Sequence, residues 1–399
     1  MEQLAIAVVT DTATDARARV AAFAERHLTG QRSRALYWAP GRVNLIGDHI
    51  DYLGGTVLPM TLDRGTAVLA LERDAPGLRI HALDEGDAAP FEVADTALQY
   101  GDWRDFVSGL LALNAEALSG PGLDLVVSGD LAGGGLSSSA SFTLALALAL
   151  MDAGWLPRTE GTALARYAQR VEVERVGTAC GLMDQLAIVH GNGEGAVAIN
   201  CATAAIEPVP LALGDRELLV IHCGRERRLA DGIYNRRREE LAAGLGRLSR
   251  PLDAIPDISA EALPSAFTAT AEGRRVRHVL REQGLVHEAR AAAAARDWGS
   301  LGEAMTASHA SLRDDFEVSV PALDALVGAA VATPGCEGAR LTGAGLGGWA
   351  VALLAAAARE DVIAAVALAL GETPDTLRWF IARPGGRVRR LDERARRDE

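Results

Sequence analysis

The chain of 399 residues contains no lysine, and all 40 of its basic residues are arginine. A GC-rich coding sequence explains the bias, but the absence still has consequences for chemistry. A P-loop needs a lysine on the β/γ-phosphates, a protein kinase needs a strand lysine, and Schiff-base enzymes need a lysine amine. All three classes are excluded. Cysteine is scarce as well. Cys180, Cys201, Cys223 and Cys336 are scattered without C-x-x-C spacing, which fits neither a zinc site nor a disulfide framework and suits a reducing compartment. Long apolar runs are missing: the two longest, around 140–151 and 349–358, fall short of the ~18 residues that span a bilayer. The N-terminus carries early acidic groups and no extended apolar stretch, unlike a signal peptide. A soluble, cytoplasmic protein with no membrane partner is expected. Positive charge is also outweighed, 53 acids against 40 bases giving −13, which argues against a nucleic-acid partner but leaves room for one basic cleft that takes a nucleotide.

What is present is globular: 49% of residues are hydrophobic and 42 are glycine. The length predicts two domains, or a two-lobed unit with its active site between the lobes. Periodicity predicts helices over 12–28, 138–151, 161–176, 233–248, 270–283, 285–295, 299–310 and 359–370. Strands are expected at 34–39, 58–71, 123–128, 195–206, 217–222, 340–342, 350–354 and 379–382, with a last strand edge before a charged tail. Residues 251–267 hold three prolines and read as loop with short helical turns. The pattern restarts near residue 210. The fold class is α+β, divided into 1–210 and 211–399.

Three glycine-rich segments carry the chemistry. In GDLAGGGLSSSAS (129–141), the glycine triplet lets the backbone approach a ligand closely, and the serines open a helix whose free N–H groups favour an anion. An ordinary turn with a Ser N-cap is the plain alternative. The triplet, the serines and the strand-loop-helix setting together favour a triphosphate cradle. LTGAGLGGWAVAL (341–353) is equally consistent with close ligand approach and with a tight turn. In APGRVNLIGDHIDYLGG (39–55), Arg42, Asp48, His49 and Asp51 crowd into ten residues, a density that is costly to bury without a ligand. A solvated loop with an Asx turn is the alternative there.

Taken in order, these segments resemble those of the galactokinase, homoserine kinase, mevalonate kinase and phosphomevalonate kinase superfamily. GRVNLIGDHIDYLGG is similar to the galactokinase signature specifically, and CGLMDQ (180–185) resembles the galactokinase segment that carries an acidic residue. The likeness extends to WRDFVSG (103–109), YNRR (234–237), RVRHV (275–279) and SHASL (308–312), and so crosses most of the chain.

The resemblance implies a two-lobed small-molecule kinase. Its N-terminal lobe would have a mixed sheet and helices, its C-terminal lobe would be ferredoxin-like, and the active site would lie in the cleft. It implies ATP as co-substrate, Mg²⁺, and phosphorylation of the C1 hydroxyl of galactose. Asp184 would stand near that hydroxyl with Arg42 beside it. A cation next to a carboxylate weakens it as a base, so Asp184 as proton acceptor and Asp184 as orienter both stay open. Asp48, His49, Asp51, Gly181 and Tyr234 would meet the sugar. Gly133, Gly134, Gly135, Leu136, Ser137, Ser138 and Ser139 would hold the phosphates, with Trp103 and Phe106 near the adenine. Ser139 and Glu172 match the metal-binding positions, and Glu174, two residues along the same predicted helix, cannot share a face with Glu172.

For Glu172 a solvated helix charge, for His49 a structural hydrogen bond, and for the aromatic pair a core role are the plain alternatives. Galactokinases usually carry Glu where Asp48 stands, Thr where Ile50 stands and a small residue where Trp349 stands. The departures at Asp48 and Ile50 make arabinose or N-acetylgalactosamine a competing expectation as substrate. A non-catalytic sugar and ATP sensor is a third, disfavoured by the intact GLSSSAS segment. A monomer or weak homo-oligomer is expected.

Overall fold

The computed structural model describes residues 15–391, apart from 87, 88, 94, 95, 98, 115–119, 132, 133, 227–231, 251–253 and 256. The chain opens with α1 (Ala16–His27), then β1 (Arg32–Asn44), β2 (Thr56–Val57), β3 (Pro59–Glu72), β4 (Leu78–Ala82) and β5 (Phe91–Glu92). Next come α2 (Arg104–Ala112), β6 (Leu123–Gly129), α3 (Ser138–Asp152), α4 (Gly161–Arg170), α5 (Met183–His190), β7 (Gly195–Asn200) and β8 (Ala205–Pro210). These eight strands and β13 (Arg389–Leu391), from the end of the described chain, form one nine-stranded sheet, ordered β13-β1-β3-β6-β4-β5 along its main path, with β7 joined to β2, β3 and β8. All its pairings are antiparallel except β4 with β6.

The second half begins with β9 (Arg216–His222), α6 (Ile233–Arg247), α7 (Ser265–Thr268), α8 (Ala271–Ala295), α9 (Trp298–Ser311) and α10 (Pro321–Ala332). It ends with β10 (Cys336–Leu341), β11 (Trp349–Ala355), α11 (Arg359–Leu370), β12 (Trp379–Ile381) and β13 (Arg389–Leu391). Its sheet is four-stranded and antiparallel, ordered β10-β11-β9-β12. The last strand returns to the first sheet, pairing Leu36–Trp38 of β1.

Local chemistry explains most of this. Helix α3 is apolar nearly all round (SSASFTLALALALMD) and lies buried against β1 and β3, as an all-apolar helix must. Two expectations need correction. The strand expected over 195–206 is a hairpin, β7 and β8. Its turn at 201–204 lacks Gly and Pro, and is made instead by Ala204 at φ 56° and by Asn200 Oδ1, which accepts from the Thr203 amide and hydroxyl. The break expected between 283 and 285 does not occur: α8 runs through Gly284 for 25 residues. A mid-helix glycine costs about 1 kcal/mol, and the buried stripe of Val276, Val279, Val286 and Ala289 offsets that. Helices α2, α5 and α10 were not among the periodic segments. No described helix is long and apolar enough to cross a membrane. All four cysteines are free thiols.

Candidate active site

A cavity of about 1060 Å³ opens among the ends of β1, β6, α3 and α5, and the loop after β10 joins its wall. Its lining includes Arg42, Asp48, His49, Asp51, Glu172 and Asp184. Arg42 follows an irregularity in the β1–β3 ladder between Pro40 and Arg42, the kind of bulge that re-aims a side chain. It is only 4% exposed. Its Nε and Nη2 lie 2.8 and 2.7 Å from Asp184 Oδ1, and its Nη1 donates to the Gly135 carbonyl at 2.7 Å. The Arg42 amide donates to Leu136 O at 3.1 Å. One residue thus ties the acid to the glycine-serine loop. Asp184 sits in the first turn of α5, where the helix dipole favours an anion.

The loop itself is shaped for an anion. Gly134, Gly135 and Ser137 all have positive φ, at 58°, 102° and 61°. Ser137 occupies the N-cap position of α3, yet its side chain makes no capping bond, and its buried hydroxyl has no partner among the described residues. The helix N-terminus is therefore left open rather than closed by its own serine. Gly133 lies outside the described residues. The second glycine segment packs against this loop: a Cβ on Gly343 would stand 2.9 Å from Gly135 O, and one on Gly348 would stand 3.4 Å from Gly134 O. Gly343 and Ala344 line the cavity. Trp349 packs beneath, 5% exposed, against His222 and Phe380 with ring centroids 4.9 and 5.6 Å away.

Helix α4 continues at 171–176 as a wider turn with π-type bonding, a form common at functional sites. It turns Glu172 inward, where Oε2 accepts from Ser139 Oγ at 3.2 Å and Oε1 from Gln185 Nε2 at 2.8 Å. Glu174 faces solvent and pairs with Arg170 instead. Burial, then the negative charge of Asp184, push the Glu172 carboxyl up to about 7. The same two causes push Asp51 up to about 7. Ser139 and Glu172 present adjacent oxygens to the cavity, the donor chemistry Mg²⁺ accepts when phosphate and water complete its shell. No group of three or more His, Cys, Asp or Glu suited to a metal occurs among the described residues.

The raised Glu172 has a consequence for stability. The unfolded chain gives up this proton near pH 4 and the folded chain near pH 7, so ionisation destabilises the fold as pH rises between them. His222 and His309, held down to about 4 by burial, work in the opposite sense. The contribution of Glu172 is therefore read as a difference. Glu172→Gln should gain thermal stability relative to the unsubstituted protein as pH rises from about 5 to about 7. A difference constant across that range in thermal melts would contradict the assignment.

Asp48, His49, Asp51, Gly181 and Tyr234 all line the same cavity. A Cβ on Gly181 would fall 1.9 Å from Asp51 Oδ2, so a side chain there would displace that carboxylate. His49, at φ 65°, stacks its ring 4.3 Å from Phe316 and 5.7 Å from Tyr234; such backbone strain in a non-glycine residue collects at functional sites. Tyr234 Oη lies 3.5 Å from Ala179 O. Asp48 is 2% exposed and ion-paired with Arg340. Ile50 is fully buried in the core and absent from the cavity wall. Trp103 and Phe106 line the cavity with Phe142, their rings edge-on at 6.1 and 6.2 Å from it. Sequence reasoning missed Arg340, Glu282 and His278. The available signal was the pair of charges in the short β10 sequence CEGARL, each of which must be partnered if buried.

Three family models match: the galactokinase galactose-binding signature over residues 21–71, the GHMP kinases N-terminal domain over 105–192 and the GHMP kinases C-terminal domain over 289–373. Galactokinases of Exiguobacterium sibiricum and a Roseiflexus species are 35% and 36% identical. These alignments cover 87% and 90% of this chain and 90% and 94% of the relatives. The crystal structure of Lactococcus lactis galactokinase complexed with galactose superposes with a TM-score of 0.82 at 28% identity, covering 94% of this chain and 99% of that one. Methanococcus jannaschii mevalonate kinase, at 17% identity and a TM-score of 0.63 over 88% of this chain and 98% of that one, shares the fold.

Proposed function

The chain belongs to the galactokinase family, and from that premise we propose that it moves the γ-phosphoryl group of ATP to the C1 hydroxyl of D-galactose through Asp184 and Arg42. The observation that carries this reading is the Arg42 fork, which touches Asp184 on one side and the phosphate loop on the other. The C1 oxygen attacks the γ-phosphorus, the bond to the β,γ-bridging oxygen breaks, and ADP leaves with that electron pair. Asp184 orients the hydroxyl and is the carboxylate to which its proton passes. Arg42 offsets the negative charge gathered at Asp184, the sugar oxygen and the γ-phosphoryl, so catalysis is chiefly positioning and electrostatics.

Gly133 to Ser139 would hold the phosphates and Trp103 would flank the adenine. Asp48, His49, Asp51, Gly181 and Tyr234 would meet the sugar hydroxyls. Magnesium held by Ser139 and Glu172 would supply charge neutralisation at the phosphate oxygens. We divide the chain into lobes 1–210 and 211–399, with β13 returned to the first, and read it as a cytoplasmic monomer or weak homo-oligomer without nucleic-acid or membrane partners.

A panel of galactose, arabinose and N-acetylgalactosamine, each with ATP and Mg²⁺ and coupled to ADP detection, tests the substrate. Galactose is expected to give the highest kcat/KM. Burial of Ile50 favours galactose, because one of the two departures that pointed elsewhere does not touch the site. Absence of galactose turnover would overturn the reading.

A further inference from the structure

We propose that Arg340, on the second sheet, is a positioning residue of the sugar site, holding Asp48 in the cavity wall across the two halves of the chain. The proposal rests on the sugar-kinase reading above. Arg340 is fully buried at the end of β10. Its Nη2 lies 2.5 Å from Asp48 Oδ2, close as an ion pair though not aligned as a hydrogen bond, and 3.7 Å from Glu282 Oε1. Its Nη1 donates to Asn44 O at 3.2 Å.

Around this contact the turn that carries Asp48 and His49 is fastened from the same side. Glu282 of α8 accepts the amides of Gly47 and Asp48 at 2.8 and 3.2 Å, and Ser308 of α9 holds that carboxylate at 2.8 and 2.7 Å. His278 bonds Asp48 O at 3.2 Å and Ser311 Oγ at 2.9 Å through its two ring nitrogens. Thr342, two residues beyond Arg340, both donates to Asn44 O and accepts from Asn44 N.

A carboxylate this short and this buried cannot choose its direction by sampling solvent. Its direction is set by the cation on the opposing sheet, and that cation is in turn fixed by Asn44 and Glu282. Arg340 itself is absent from the cavity lining, so it acts on substrate only through Asp48. The nucleotide-side contacts of Arg42, Ser139 and Glu172 share none of these partners. The effect of removing Arg340 should therefore fall on the sugar and spare ATP.

Arg340→Met and Arg340→Lys, assayed in the full-length protein with the sugar that the unsubstituted enzyme uses best, test this. Arg340→Met should raise KM for the sugar by at least about tenfold while KM for ATP stays within about twofold, and Arg340→Lys should recover part of the loss. If Arg340→Met does not fold, Arg340→Lys decides alone: its KM for the sugar must exceed the unsubstituted value with that for ATP unchanged. Both KM values rising together, or an unchanged sugar KM in a folded variant, would overturn the proposal. Because the sugar is taken from the panel, an error over galactose changes the substrate used and not this test.

Discussion

An Asp184→Asn variant is expected to lose about 10²–10⁴-fold in kcat, the range that one group handling a proton in the transition state commands, with little change in KM for ATP. The substitution keeps the shape of the side chain and leaves Oδ1 to accept from Arg42 Nε and Nη2. It removes the negative charge and the ability to take a proton. Both are needed for the proton acceptance assigned to Asp184, while the retained oxygen keeps part of its orienting role, so the size of the loss weighs one role against the other. A fall of about tenfold or less would mean that orientation dominates, and full ADP release would contradict the assignment. A second readout accompanies the first. Asp184 helps hold both Glu172 and Asp51 up to about 7, so in the Asn variant both carboxyls should ionise at lower pH.

Arg42→Lys would place the first lysine in a chain that has none, and we expect it to cost about 10²–10³-fold in kcat, comparable to removing one donor from a preorganised anion site. The reason is geometric. Three guanidinium nitrogens are in use: Nε and Nη2 on Asp184, Nη1 on Gly135 O. An ammonium is a point charge and cannot span both groups from a 4%-exposed position. Retained charge with lost fork should also loosen the phosphate loop, raising KM for ATP. Steady-state kinetics on the folded variant check both, and kinetics within about threefold of the unsubstituted enzyme would show that charge alone suffices.

The site was legible in the sequence where its chemistry is local. The Gly134–Ser139 loop, the Arg42–Asp51 turn and the acid in CGLMDQ are contiguous segments, and each folds as its glycines and helix start require. Helix geometry separates Glu172 from Glu174 and the family resemblance picks Glu172, and the structure sends the two carboxylates opposite ways. The π-type turn that accomplishes this has no sequence signal of its own. The clamp of Arg340, Glu282 and His278 was illegible because these residues lie more than 200 positions from the turn they hold and reach it from β10 and α8 only in the folded chain. Ile50 shows the same limit in reverse: a position next to the site in sequence points into the core. Gly284 and the 201–204 turn misled for a different reason, since packing overrode one weak helix position and asparagine did the work expected of glycine.

The most direct measurement is the position of the transferred phosphate. Galactose incubated with the enzyme, Mg²⁺ and one equivalent of ATP, followed by carbon and phosphorus NMR, should show splitting by phosphorus at the anomeric carbon and its neighbour C2 and at no other carbon, with ADP formed in equal amount. Phosphate on any other carbon, or inorganic phosphate without a sugar ester, would contradict the account.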